Sequence, residues 1–317
     1  MHVLVVTNMY PTPDRPHFGT FVYDEVSALR QLGVDVEVVF VDGQRRTRNY
    51  AWGTARLAGR GLSRASYDLV HAHYPFSGLM ARAQVRWPLV LTLHGIEVTF
   101  GWTAPLARLA ARLSDWVIVT APHVLADLRF RPAHVSVIPC GIDLDLFAPG
   151  DRNQARTRLG LPLDRQIVVF VGEVRPEKQV HLLEGAVAAL RAEGAPVDLV
   201  ITSGLPHDQV PQIMQAADVL GLVSRYEGSP MVIKEAMACN LPIVATDVGD
   251  VASVMGDTAG CFLCAPTVDS VTAQLRQALA FGGRTNGRDR VRPLAALGTA
   301  RQVLQVYETV TRRRHAR

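Results

Sequence analysis

The sequence predicts an α/β protein made of two doubly wound domains, each a parallel sheet with helices on its faces. Short apolar, β-branched runs alternate with segments of helical period along the chain, which is the pattern of βαβ units. At 317 residues the chain exceeds what one hydrophobic core usually organises, so two domains of roughly 150 residues are expected. The alternation breaks once, at the polar stretch "APGDRNQARTRLGLPLDRQ", which places a first domain at 1–149 and a second at 150–299.

The runs "HVLVVT", "VDVEVVF", "YDLVHAH", "PLVLTLH", "DWVIVT" and "HVSVIP" read as six strands before Pro149. Between the first two lies a helix that Thr20 can cap, with Val22, Val26 and Leu29 on one face and Gly33 at its stop. The pattern restarts with "IVVFVGE" and a helix carrying Val180, Leu183, Val187 and Leu190, then "VDLVIT", "DVLGLV" and "PIVAT". "FGGRTNGRDR" is polar and glycine-rich, as a mobile loop would be. The last segment, from Pro293, puts Leu297, Val303, Tyr307 and Val310 on one helical side. It can pack on the second domain, or return over 300–317 to the first.

Composition bounds the function. No uncharged run exceeds 13 residues, well short of the roughly 20 a membrane-spanning helix needs. "MHVLVVTNMYP" reads as a first strand rather than a leader, so a cytoplasmic protein is expected. Cys261 and Cys264 in "CFLC" are half a zinc site at best. Buried, reduced thiols are the preferred reading, and no metal is expected. Net charge is +4 and uneven: "QRRTRNYAWGTARLAGRGLSR" carries six arginines and no acid, and "TRRRHAR" closes the sequence. These are either solvated faces or a surface for anionic lipid headgroups or a phosphate-bearing acceptor, with Tyr50 and Trp52 as interfacial anchors at the inner face of a membrane. No aromatic-studded strand or recognition helix accompanies the charge, so nucleic acid is not an expected partner.

The chemistry concentrates in "SRYEGSPMVIKEAMACNLP". Ser229 reads as an N-cap and Pro230 as the first helical residue, with Asn240 ending the helix. Free N–H groups near Met231 and Val232 make an anion site suited to a diphosphate. Glu235 lies about five residues in, roughly 7–8 Å along the axis, where a carboxylate in an open cleft can hold a ribose diol. Glu227 can hold hydroxyls on the other side, and Lys234 is read as facing solvent.

This stretch, Glu227 to Glu235, resembles the E-x7-E region of the retaining GT-B glycosyltransferases of family 4, and "EAMACNLPIVATDVGD" is similar to the same family. "PHFGTFVYDEVSALRQLG" resembles the family's first glycine-rich turn, "YDLVHAHY" and "LTLHG" its cleft-lining strands, "VIPCGIDLDLF" its interdomain linker and "FVGEVRPEK" its phosphate loop. The resemblance implies two Rossmann-like domains facing across a cleft, the first binding the acceptor and the second a nucleotide-diphosphate sugar. The acceptor would be a sugar, a lipid-linked group or a small molecule. It implies donor contacts from Gly19, Gly172, Arg175, Lys178, Glu227, Gly228, Ser229, Pro230, Met231, Val232 and Glu235, and catalytic parts for His94, Lys178 and Glu227. No cofactor is called for beyond the donor.

Two departures stand out. Glu173 occupies the place where the family usually carries an arginine, with Arg175 two residues on, and "VITSGLPHDQVPQIMQAADVL" is shorter than usual, which would reduce the base pocket. Lys178, one of only two lysines, stands at the family's phosphate-binding lysine. "DLD" at Asp143 to Asp145 matches a D-x-D metal motif formally and is read as chance. The activity implied is retaining transfer of a sugar to an acceptor hydroxyl, in cell-envelope polysaccharide, glycolipid or glycoside synthesis. A sugar-nucleotide epimerase of the same architecture, or a non-catalytic nucleotide-sugar-binding protein, are the alternatives.

Overall fold

A computed structural model describes residues 1–43, 45–63, 66–99 and 101–315; Gln44, Arg64, Arg317 and the His315 side chain, counted above in the arginine-rich stretches, lie outside the described residues or atoms. The chain divides into two compact units. The first comprises Met1–Pro13, Phe18–Gly141 and the segment from Ala296 on; the second comprises Asp14–His17 and Ile142–Ala295.

The first unit holds a parallel sheet of β1 (His2–Thr7), β2 (Asp35–Phe40), β3 (Leu69–His73), β4 (Leu89–Leu93), β5 (Trp116–Val119) and β6 (Val135–Val137), in the order β2-β1-β3-β4-β5-β6. Its central strands are buried on both faces, as parallel strands under helices are. Leu4 and Val6 of β1 enter one core and Val3 and Val5 the other. The second core also takes Ala300, Val303, Val306, Tyr307 and Val310 of the helix Ala296–His315, so this helix belongs to the first unit. Leu297, expected on its apolar side, is exposed instead.

The second unit holds β7 (Gln166–Val171), β8 (Val197–Thr202), β9 (Val219–Leu222), β10 (Ile243–Thr246) and β11 (Cys261–Cys264), all parallel, in the order β11-β10-β9-β7-β8. The sequence runs anticipate β1 to β10 but not β11. "CFLC" is that edge strand, and a spacing of three along a strand sends its two cysteines to opposite faces, so they cannot share a metal. The stretch expected to be a mobile loop is held in place: Arg288 donates to the carbonyls of Leu144 (2.7 Å), Phe147 (2.6 Å) and Ala238 (3.1 Å), and Thr285 N–H donates to the Asn240 carbonyl (2.8 Å).

The arginine-rich helix Arg48–Leu62 buries Gly53 and Leu57 and leaves Trp52 66% exposed. Tyr50 is not an outward anchor. Its ring stacks on Phe76 at 4.9 Å and its hydroxyl accepts from Asn8 (3.2 Å). Arg60 is spent on Glu37, at 2.5 Å. No helix among the described residues is long and apolar enough to cross a membrane.

Two internal charge arrangements fix stability. Arg156, nearly sealed from solvent, donates to Asp218 Oδ2 (2.5 Å) and to the carbonyls of Ala216 (2.9 Å) and Arg165 (2.8 Å), while the same carboxylate oxygen receives the Ile167 N–H (2.6 Å) at the start of β7. Asp218→Ala strands this guanidinium, and chemical denaturation should show a loss of about 3–5 kcal/mol. In the first unit, burial pushes the Glu25 carboxyl up to about 8 and His73 down to about 3. Between its ordinary 4.5 and about 8, Glu25 keeps in the folded protein a proton that the unfolded chain releases, so its contribution to stability falls as pH rises. His73 acts oppositely, its contribution being lost as pH falls from 6.5 towards 3. Glu25→Gln should therefore gain on the wild type through the first window, by up to about 1.4 kcal/mol per pH unit, in denaturation curves taken at successive pH values.

Candidate active site

In each sheet the first strand has later strands on both sides, and ligands of doubly wound sheets bind beyond the carboxyl ends at that reversal. In the second unit the reversal lies between β8 and β9 on either side of β7, and the loops after β7 and β9 carry most of the expected site. Gly172 follows β7, donating its N–H to the Thr202 carbonyl (3.0 Å), and the turn Pro176–Lys178 comes next. Lys178 Nζ meets Glu227 Oε1 from the β9 loop at 2.5 Å, and Ser224 donates to the same oxygen at 2.7 Å. Both partners of the ion pair are largely buried. Among the described residues Lys178 Nζ donates only to Glu227, which leaves two of its three donors for another acceptor.

Gly228 and Ser229 lead into the helix Met231–Ala238, whose cap is Pro230 rather than Ser229. Ser229 is unavailable as a cap because its hydroxyl donates to Asp250 Oδ2 (2.6 Å) and accepts from Lys234 Nζ (2.9 Å). Lys234, expected in solvent, is 0% exposed. Gly249 keeps the Asp250 loop tight against this turn: with φ +60° and a Cβ that would stand 2.3 Å from the Gly228 carbonyl oxygen, only glycine fits. Met231 and Val232, in the first turn, have no intrahelical acceptor for their N–H groups.

Glu235 does not stand open. It is 7% exposed, and its Oε1 lies 3.3 Å from Nε2 of His207, whose ring packs on Phe147. Arg175 is exposed and flanked by two acids, Glu173 at 3.1 Å and Glu177 at 3.5 Å, so its charge is already offset on its own loop. Asp143 of the formal D-x-D accepts from the N–H groups of Asp145 and Leu146, both at 2.9 Å, which is a turn-closing task. Sequence reading missed Ser224, Asp250 and His207. Ser224 sits three residues before Glu227 and could have been suspected, whereas His207 and Asp250 arrive only through the fold.

In the first unit Gly19 follows β1 and caps the helix Thr20–Gln31 in the left-handed conformation, φ +71°, displacing Thr20 from that part. A Cβ there would stand 2.4 Å from the Met9 carbonyl carbon, so the loop after β1 depends on glycine. His94 follows β4. Its N–H donates to Glu97 Oε1 (2.5 Å) and its ring lies among Phe21, Tyr74 and His73, at centroid distances of 4.8, 4.8 and 5.4 Å. Its Nε2 is 3.2 Å from His73 Nδ1 and its Nδ1 is 3.6 Å from Cys140 Sγ. Desolvation raises the Glu97 carboxyl above its ordinary value, against the hydrogen bonds it accepts from backbone. Tyr74, with φ 73° in a non-glycine residue, is the strained entry to the helix Pro75–Ala81 beside this ring.

Both halves of the chain are similar to known proteins. Residues 18–146 match the sequence model of Glycosyltransferase Family 4 and residues 192–286 that of Glycosyl transferases group 1. A putative teichuronic acid biosynthesis glycosyltransferase of Bacillus subtilis is 29% identical, over 81% of this chain and 83% of that protein. A D-inositol 3-phosphate glycosyltransferase of Gordonia bronchialis is 32% identical over 68% of this chain, which reaches 58% of that protein's length. Among solved structures, a sucrose-phosphate synthase from Thermosynechococcus elongatus superposes with a TM-score of 0.80 at 23% identity, covering 98% of this chain and 99% of that one. Anabaena HepE in complex with UDP superposes with a TM-score of 0.72 at 18% identity, covering 98% and 100%. With two parallel, doubly wound sheets and both halves matched by sequence, the chain belongs to the group 1 glycosyltransferases of family 4 and has their GT-B fold.

Proposed function

We propose that the protein is a retaining, metal-independent glycosyltransferase that moves a sugar from a nucleotide-diphosphate donor to an acceptor hydroxyl in cell-envelope polysaccharide or glycolipid synthesis. The observation that carries this is the meeting of Lys178 and Glu227 beside the unsatisfied first turn of Met231–Ala238. Breaking the bond from anomeric carbon to phosphate builds negative charge on the leaving diphosphate, and preorganised donors aimed at that charge are the main catalytic lever. The N–H groups of Met231 and Val232 and the free donors of Lys178 supply them, so the reading requires no metal. Glu227 takes sugar hydroxyls and Glu235 the ribose diol. Gly19, Gly172, Gly228, Ser229 and Pro230 shape the loops around the donor, and His94 meets its sugar. Arg175 is a minor contributor in this reading, because Glu173 and Glu177 already hold it.

Related proteins support the substrate class. HepE has been solved with UDP-glucose, and a starch synthase of the same fold with ADP and acarbose. The teichuronic acid relative supports an envelope polymer as the destination. A cytoplasmic site facing the membrane's inner surface fits such an acceptor. The exposed Trp52, with the Arg56 guanidinium 5.5 Å from its ring centre, is the feature of the arginine-rich helix suited to that surface.

The stereochemical outcome tests the mechanism. If the diphosphate leaves from the face that the acceptor enters and itself takes the acceptor's proton, an α-linked donor gives an α-linked product. A thermal-shift panel beginning with UDP-glucose identifies the donor, since a ligand bound by the native state alone raises its stability. Proton NMR of the first product, transferred or hydrolysed, should show the α anomer; a β product defeats the reading. Membrane contact has its own check. Vesicles containing phosphatidylglycerol should sediment with the protein at low salt and release it as ionic strength passes about 0.1 M, where screening acts over roughly 10 Å, and Trp52→Ala should weaken binding. Binding indifferent to both would leave the helix as a solvated face.

A further inference from the structure

Behind His94 the first unit buries a set of titratable groups that the proposed reaction leaves unused. Glu25 of the helix Thr20–Gln31 and His71 and His73 of β3 bring Oε1, Nδ1 and Nε2 within 4.8 Å of one another, a spacing that would suit a metal. His71, however, has both ring nitrogens engaged by hydroxyls: Nδ1 by Tyr307 at 2.6 Å and Nε2 by Thr92 at 2.7 Å. That leaves Glu25 Oε1 and His73 Nε2, both buried and neither with a hydrogen-bond partner among the described residues, facing each other at 3.5 Å, with the already engaged His71 Nδ1 also 3.5 Å from Glu25 Oε1. A buried polar atom without a partner is costly, so these two must serve each other. The other nitrogen of His73 continues the line to Nε2 of His94, at 3.2 Å.

We propose that Glu25 and His73 are positioning residues that set the tautomer of His94: Glu25 O–H donates to His73 Nε2, His73 Nδ1–H donates to His94 Nε2, and the proton of the neutral His94 ring is thereby confined to Nδ1. Every hydrogen bond in the line has one donor and one acceptor, and no proton is gained or lost. The polarity follows from the surroundings of Glu25. The groups facing it are His71 and His73 of β3 and Tyr307 of the last helix, and none of them is a cation that could hold a buried carboxylate ionised. Burial moves the Glu25 carboxyl up to about 8 and the His73 imidazole down to about 3, which keeps the first protonated and the second neutral at physiological pH. Nδ1 of His94, beside Cys140 Sγ, is then a hydrogen-bond donor. Ionisation of Glu25 would reverse each bond in the line and turn that nitrogen into an acceptor.

The proposal rests on the reading of His94 as a site residue only for its catalytic meaning; the tautomer can be measured without substrate. The full chain, labelled with 15N-histidine, is examined by long-range proton–nitrogen correlation, with His94→Gln to assign the ring. The wild type at neutral pH should show His94 protonated at Nδ1, shifting towards Nε2 above about pH 8 as Glu25 ionises. Glu25→Gln, whose amide still donates, should keep the Nδ1 form at all these pH values, whereas Glu25→Met should lose it. Should Glu25→Met fail to fold, His73→Asn, which keeps a donor near the Nδ1 position, and His73→Phe, which does not, give the same contrast. An Nε2-protonated His94 in the neutral wild type, or a pattern indifferent to both pairs of variants, overturns the relay. So does stoichiometric zinc that co-purifies with the wild type and is absent from Glu25→Gln. If the relay holds but His94→Gln leaves transfer intact, the tautomer is real and the catalytic reading of His94 is what fails.

Discussion

A lysine ammonium with no exposed surface constrains the loops around the helix Met231–Ala238 of the second unit. Lys234 cannot be left without compensation, and one of its acceptors is the Ser229 hydroxyl, itself bonded to Asp250. That chain fixes the Gly228-Ser229-Pro230 turn from within and the loop of Gly249 and Asp250 from behind. The entry of the helix Met231–Ala238, with its unsatisfied N–H groups, is therefore held by a polar network rather than by apolar packing alone. A rigid entry is what the proposed anion site would require, because donors that must first be ordered lose part of their advantage.

The same economy appears at Lys178. Its partner Glu227 is held by Ser224, so the cation is already oriented before any ligand arrives. The loop after β7 contributes charge differently. Glu173, Arg175 and Glu177 sum to one negative charge on three exposed or half-buried side chains, which leaves Lys178 as the dominant cation of that loop.

The strands were legible because the central strands of each parallel sheet are buried on both faces, which forces continuous β-branched runs such as "HVLVVT" and "QIVVFV". β11 escaped because two cysteines and a phenylalanine around one leucine signal chemistry before they signal a strand. The second glutamate of the E-x7-E stretch could be found from spacing, but not its state. Glu235 meets His207 from 28 positions away, and its burial depends on a contact with no local trace. Ser229 looked like a cap because serine before proline and an apolar run usually is one; a lysine five residues later claimed the hydroxyl. Glu25 reads as the polar face of an amphipathic helix, and only the two histidines of β3 beneath it reveal a carboxyl whose Oε1 is buried.

Lysine content has a practical consequence. Of the 33 basic side chains only two are primary amines, one sealed inside the protein and the other partly open beside Glu227. Amine-directed acylating reagents, which ignore guanidinium, thus find a single partly open lysine, and if Lys178 holds the donor as proposed a bound nucleotide would shield it. Under that proposal a general surface label becomes a probe of occupancy.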